Sequence, residues 1–160
     1  MRVNGHWTPK DGKIVDEDVV VDGDLNADGN LTIRGNLTVG GMIICGGRLK
    51  VTKRITARDI FDVKGNIEAE SVICVQGIYS HKKIVVSNIL SGTLIKGELG
   101  IIAKYIVTPT AVETYGVIKT KIIYAQEIFA PRGILAKNIN CTGGFDVASV
   151  LEWMEKGSEL

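Results

Sequence analysis

Two histidines, three cysteines and four tyrosines carry most of the reactive chemistry available to this sequence of 160 residues. A three-histidine metal centre is out of reach with only His6 and His81. One histidine suffices as a general base, and His81 is the candidate. Its setting, Tyr79-Ser80-His81-Lys82-Lys83, reads equally as a solvated corner with a charged end. Cys45, Cys74 and Cys141 are odd in number and lack C-x-x-C spacing, so they read as buried reduced thiols, with Cys45 and Cys141 at inward places. Asp24-Leu25-Asn26-Ala27-Asp28-Gly29 matches the first half of a calcium loop, but Gly35 stands where the bidentate Glu belongs. The Gly-Gly pairs at 40–41, 46–47 and 143–144 lack the Lys-Ser/Thr of a phosphate loop and read as corners. Tyr79, Tyr105, Tyr115 and Tyr124, spaced by 26, 10 and 9, are not expected to stack as a sugar-binding row. No cofactor, metal or small-molecule substrate is expected.

The elements that must carry these residues follow from a repeat. From Val19 an aliphatic or aromatic residue returns every six positions, at Leu25, Leu31, Leu37, Ile43, Leu49, Ile55, Phe61, Ile67 and Ile73. A small or aliphatic residue follows two places later each time, as in Val21, Ala27, Ile33 and Val39. Strand side chains alternate faces, so these two places share one side and the polar residues between them face water. The fifth place is Gly at 23, 29, 35, 41, 47, 65 and 77, which suggests backbone freedom to turn a corner. Strands so short have no core of their own and must stack on later copies, as in a solenoid.

Three units make a triangular coil of about eighteen residues, with coils stacked roughly 4.8 Å apart. Residues eighteen apart then form interior files: Val19, Leu37, Ile55 and Ile73; Leu25, Ile43 and Phe61; Leu31, Leu49 and Ile67. Lys50 falls over Glu68 on the outside. Beyond Ile78 the steps vary, and the expected anchors are Ile84, Ile89, Leu94, Leu99, Ile106, Val112, Val117, Ile122, Ile128, Ile134 and Ile139. Coils there shrink toward seventeen residues, and about seven coils would stand roughly 34 Å tall.

Residues 1 to 18 read as a cap or leader over the first coil, with Trp7 covering its apolar cross-section or meeting a neighbouring molecule. Residues 19 to 144 form the solenoid. After Gly143-Gly144, the run from Phe145 to Gly157 predicts a short helix, with Asp146 as N-cap and Gly157 just past the end. Val147, Val150, Leu151 and Met154 make its apolar stripe, which lids the last coil or meets a partner with Trp153 on the flank.

A net charge of +1 gives no electrostatic case for nucleic acid or an anionic membrane. The N-terminus, Met1-Arg2-Val3-Asn4-Gly5-His6-Trp7, has no apolar core of signal-peptide length, and no stretch is long enough for a membrane span. A cytoplasmic protein is expected.

The run from Asp22 to Val39, with its G-x-L/I-x-A/V-x-G-x-L/I texture, resembles the core of the bactofilins, polymer-forming bacterial cytoskeletal proteins. The likeness covers residues 19 to 78 well and the remainder loosely. It implies a right-handed three-sided β-helix that self-associates end to end without a nucleotide, and it transfers no catalytic residues. The expectation is an all-β, three-sided parallel β-helix of about seven coils with a C-terminal capping helix, right-handed by preference. Its function would be that of a non-enzymatic assembly module forming a homo-oligomer or polymer. The alternatives are a divergent hexapeptide-repeat acyltransferase-like enzyme with His81 as base, and a carbohydrate- or surface-binding module.

Overall fold

Residues 1–141 are described by the computed structural model; the helix expected over 145–157, and with it Val147, Val150, Leu151, Trp153 and Met154, lies outside the described residues. Each hexad folds as a three-residue strand, such as Leu25–Ala27, Leu31–Ile33 and Leu37–Val39, whose first and third side chains are buried. The strands pair in parallel with copies one coil away. Leu25 lies opposite Ile43 and Ile43 opposite Phe61, while Leu31, Leu49 and Ile67 form a second file and Val19, Leu37 and Ile55 a third. The result is a parallel β-solenoid of about eight turns, with no helix among the described residues.

Three faces run the length of the stack. Face one begins with Arg2–Val3, Val19–Val21, Leu37–Val39 and Arg54–Ala57. Face two begins with Leu25–Ala27, Ile43–Cys45, Phe61–Val63 and Ile78–Ser80, and face three with Lys13–Val15, Leu31–Ile33 and Leu49–Val51. The interior is a continuous file of aliphatic side chains with Phe61 as its largest member. Residues 1 to 18 pair in the same register as the coils. Arg2 is opposite Val20, Lys13 is opposite Leu31, and Trp7 forms a bridge to Leu25, which adds a turn beyond the expected seven.

The coil tightens along the chain. The eighteen-residue spacing holds through Leu49 and Ile67. It becomes seventeen at Ile55 opposite Val72, and sixteen at Val112 opposite Ile128. The first residue is lost between Ile67 and Val72, where Ile67–Cys74 runs as one strand across the corner from face three to face one. Lys83–Ser91 does the same one coil later, so faces one and three merge into a single fifteen-stranded sheet while face two keeps its own seven.

This straightened corner corrects the expected register. The file of Val19, Leu37 and Ile55 continues through Val72, not Ile73. Higher up, Ile95, Ile101, Ile118 and Ile123 are buried in place of the expected Leu94, Leu99, Val117 and Ile122. The polar residues that blurred this region separate cleanly. Ser80 and Ser91 are interior and donate their hydroxyls to the carbonyls of Gly65 and Gln76, at 2.8 and 2.6 Å. Thr108 donates to Thr93 in the same way, whereas Lys96 and Lys119 point outward. Cys74 is buried and bonded to the Asp59 carbonyl at 2.8 Å, and Cys141 is exposed, which reverses the expectation for Cys141.

The corner glycines serve spacing rather than unusual dihedrals. Positive φ occurs among the described glycines only at Gly5, Gly12, Gly100 and Gly133, none of them a fifth-place hexad glycine. A Cβ on Gly47 would instead sit 2.7 Å from the Asn30 backbone nitrogen, and one on Gly65 would sit 2.7 Å from that of Arg48. After Gly23, Gly29, Gly35 and Gly65 the next side chain also bonds the coil above. Asp24 Oδ1 accepts from Met42 N–H at 2.8 Å, Asn30 Oδ1 from Arg48 N–H at 2.8 Å, and Asn66 Oδ1 from Lys83 N–H at 3.0 Å. Corner N–H groups that a strand ladder cannot reach are thereby satisfied.

Candidate functional site

Asp24, the first residue of the calcium-like run, is one of these corner acceptors, and Asp28 pairs with Lys10 at 2.9 Å. The two carboxylates are thus occupied by the coils on either side. Among the described residues no three His, Cys, Asp or Glu side chains converge as a metal site. Trp7, an interaction candidate from the sequence, is partly buried and packs against the interior beneath Leu25.

The densest set of titratable and aromatic side chains lies along the edge between faces two and three. Two outward rows meet there. One runs through Asp62, Tyr79, Lys96, Glu113 and Phe129, successive partners on face two. The other, two residues further round each coil, runs through Lys64, His81, Glu98 and Tyr115. A seventeen-residue coil sets residues nineteen apart on a diagonal, and the contacts follow it. His81 Nε2 is 3.0 Å from Asp62 Oδ1, and Tyr79 donates its phenol to Glu98. Lys96 Nζ lies 5.6 Å from the Tyr115 ring centre and 5.4 Å from that of Tyr79, within cation–π range of both. Lys64 Nζ approaches His81 Nε2 at 3.2 Å, the Tyr79 and His81 rings meet edge to face at 4.3 Å, and Tyr115 meets Phe129 likewise at 6.1 Å.

This arrangement bears on each sequence candidate. His81 does sit beside a carboxylate, as a general base would. However, the Asp62 and Lys64 contacts converge on one ring nitrogen, and the His81 side chain is only part-exposed between them. Glu98, as acceptor of the phenol proton, pushes the Tyr79 pKa up to about 12. A phenol so held is a poor acid at neutral pH. Tyr79 and Tyr115 lie along this edge, both within cation–π range of Lys96, while Tyr105 and Tyr124 lie on face one, so the four form no single row. The nineteen-residue recurrence of Asp62 with His81, Tyr79 with Glu98, and Lys96 with Tyr115 is the sequence signal that would have found the edge.

The upper end of the stack is the other distinctive surface. Glu127–Phe129, Ile134–Leu135 and Asn138–Asn140 are the last described strands of their faces, each paired on one side only among the described residues. Leu135 is 63% exposed and Ile139 51%, although Ile139 continues the interior file of Ile106 and Ile123. No described helix is long and apolar enough to cross a membrane. In comparisons with known proteins, no family model, no curated protein and no solved structure matches the chain.

Proposed function

We propose that this chain is a non-enzymatic structural module that associates with copies of itself through the ends of its coil stack, in the manner of the bactofilins that residues 19 to 78 resemble. Right-handed winding belongs to the same reading. One observation carries it: the last described coil presents Leu135 and Ile139 largely to solvent, and Ile134–Leu135 pairs on one side only among the described residues. Unpaired strand edges flanked by apolar side chains are a template for another chain. The edge around His81 supports the non-enzymatic part, since its side chains are engaged with one another.

Sedimentation velocity and negative-stain microscopy of the full chain over a concentration series test the reading. Oligomers or filaments that grow with concentration are expected. Leu135→Lys with Ile139→Lys, both at exposed positions, should return the protein to monomers while its strand content by circular dichroism stays intact. A wild-type chain that remains monomeric at high concentration would overturn the proposal.

A further inference from the structure

On the corner that joins faces two and three lies a groove of about 640 Å³. Gly46, Gly47 and Gly65 line it without side chains, which leaves Asn30, Arg48, Lys64, Asn66 and Lys82 to set its chemistry. Asn30 Oδ1 already accepts from Arg48 N–H at 2.8 Å, and Asn66 Oδ1 from Lys83 N–H at 3.0 Å. What each amide has left for the groove is its NH2, a donor. All of these side chains therefore offer donors, and no carboxylate lines the groove. Little opposes the cations. Arg48 Nε is 3.6 Å from Glu68 Oε2, Lys64 Nζ meets the His81 ring at 3.2 Å, and Lys82 Nζ has no partner among the described residues. Of the other carboxylates nearby, Asp62 is 3.0 Å from His81 Nε2, and Asp11 accepts from Asn30 N–H at 2.6 Å.

We propose that this groove binds a small anion carrying two or more linked phosphates, laid along the stack. Elsewhere, charged side chains on adjacent coils pair with their opposites: Lys10 with Asp28, Arg34 with Asp16, and Lys96 with Glu113. At this corner Arg48, Lys64 and Lys82 follow one another on three successive coils, as the register of Leu49, Ile67 and Ile84 shows. Like charges so stacked repel, and an anion between them removes the repulsion. A net charge of +1 for the whole chain conceals this local excess. The backbones of Arg48 and Lys82 stand two coil steps apart, roughly 10 Å. Linked phosphates can follow a row of cations of that length, and a single phosphate cannot. The guanidinium suits paired phosphate oxygens, while each ammonium acts as a point charge. Gly46-Gly47 lacks the sequence of a phosphate loop, and two of the cations come instead from the coils above it. Anion binding here and self-association through the coil ends are independent, and each can fail without the other.

Isothermal titration calorimetry of the full chain with sodium tripolyphosphate at low ionic strength tests the assignment. Saturable binding is expected, tighter than for orthophosphate and weakening as salt is added. Arg48→Gln with Lys82→Gln should weaken it by about tenfold or more, since charge-assisted hydrogen bonds are lost. Lys53→Gln with Lys121→Gln makes the same change of charge on the corner between faces three and one, and should leave binding unchanged. In the unaltered protein, tripolyphosphate should slow acetylation of Lys64 and Lys82 but not of Lys53 or Lys121. That measurement decides if the groove variant fails to fold. Absence of saturable binding by the wild type would overturn the proposal. So would an equal loss in the two double variants, orthophosphate binding as tightly as tripolyphosphate, or acetylation slowed alike at all four lysines.

Discussion

Tyr79 takes its acidity from the coil above. Its proton is held by Glu98, which raises the phenol from an ordinary value of 10 to about 12. Between those values the folded chain keeps a proton that the unfolded chain has released. The contact therefore adds stability below pH 10, and the contribution is lost as pH rises through about 12. An ultraviolet titration should show one phenol ionising late, and Glu98→Gln should move it back toward the ordinary value. Unchanged late ionisation in that variant would refute the assignment. The thiols follow burial instead. Burial pushes Cys74 up to about 11 and raises Cys45 as well, so both stay protonated and inert at neutral pH. The inward place of Cys45 was readable from the hexads. That of Cys74 was not, because the eighteen-residue frame put Ile73 inside.

At the scale of the element, the repeat was legible where its period was constant and illegible where it changed. Leu25, Ile43 and Phe61 were placed in one file because nothing between them disturbs the count. The frame was lost at a corner, since Ile67–Cys74 crosses it without a turn and no glycine marks the missing residue. The diagonal contacts of His81, Tyr79 and Lys96 were hidden for the same reason. The corner glycines were recognised, but their cause is contact between coils, and this separates two of them. A Cβ on Gly65 meets the Arg48 backbone at 2.7 Å, while one on Gly77 meets nothing closer than Thr93 Oγ1 at 3.3 Å and the Leu94 carbonyl at 3.5 Å. Gly65→Ala should cost about 1–3 kcal/mol, as over-packing does. Gly77→Ala should stay within about 1 kcal/mol of wild type, because a lower unfolded-state entropy offsets a small adjustment. Denaturant unfolding of the two variants would distinguish this from a requirement for glycine dihedrals, which predicts equal losses.

For the whole molecule, the interior is one aliphatic column in which each coil touches mainly its neighbours, so stability is close to a sum of local terms. Phe61, the largest fully buried side chain, fills the middle of that column. Phe61→Ala should cost about 3–5 kcal/mol by denaturant unfolding. Hydrogen exchange should then accelerate most in the strands around Ile43 and Ile78, which flank it, and least near Val3 and Ile134. Uniform acceleration along the stack would show a single cooperative unit instead. The shortening of the coil from eighteen residues to sixteen has a geometric corollary. It gives the tube two mouths of unequal girth. Wherever such tubes are joined mouth to mouth, like rims meet residue for residue, while an unlike pair leaves part of the wider rim with no strand opposite. Circumference alone then selects which rims can close.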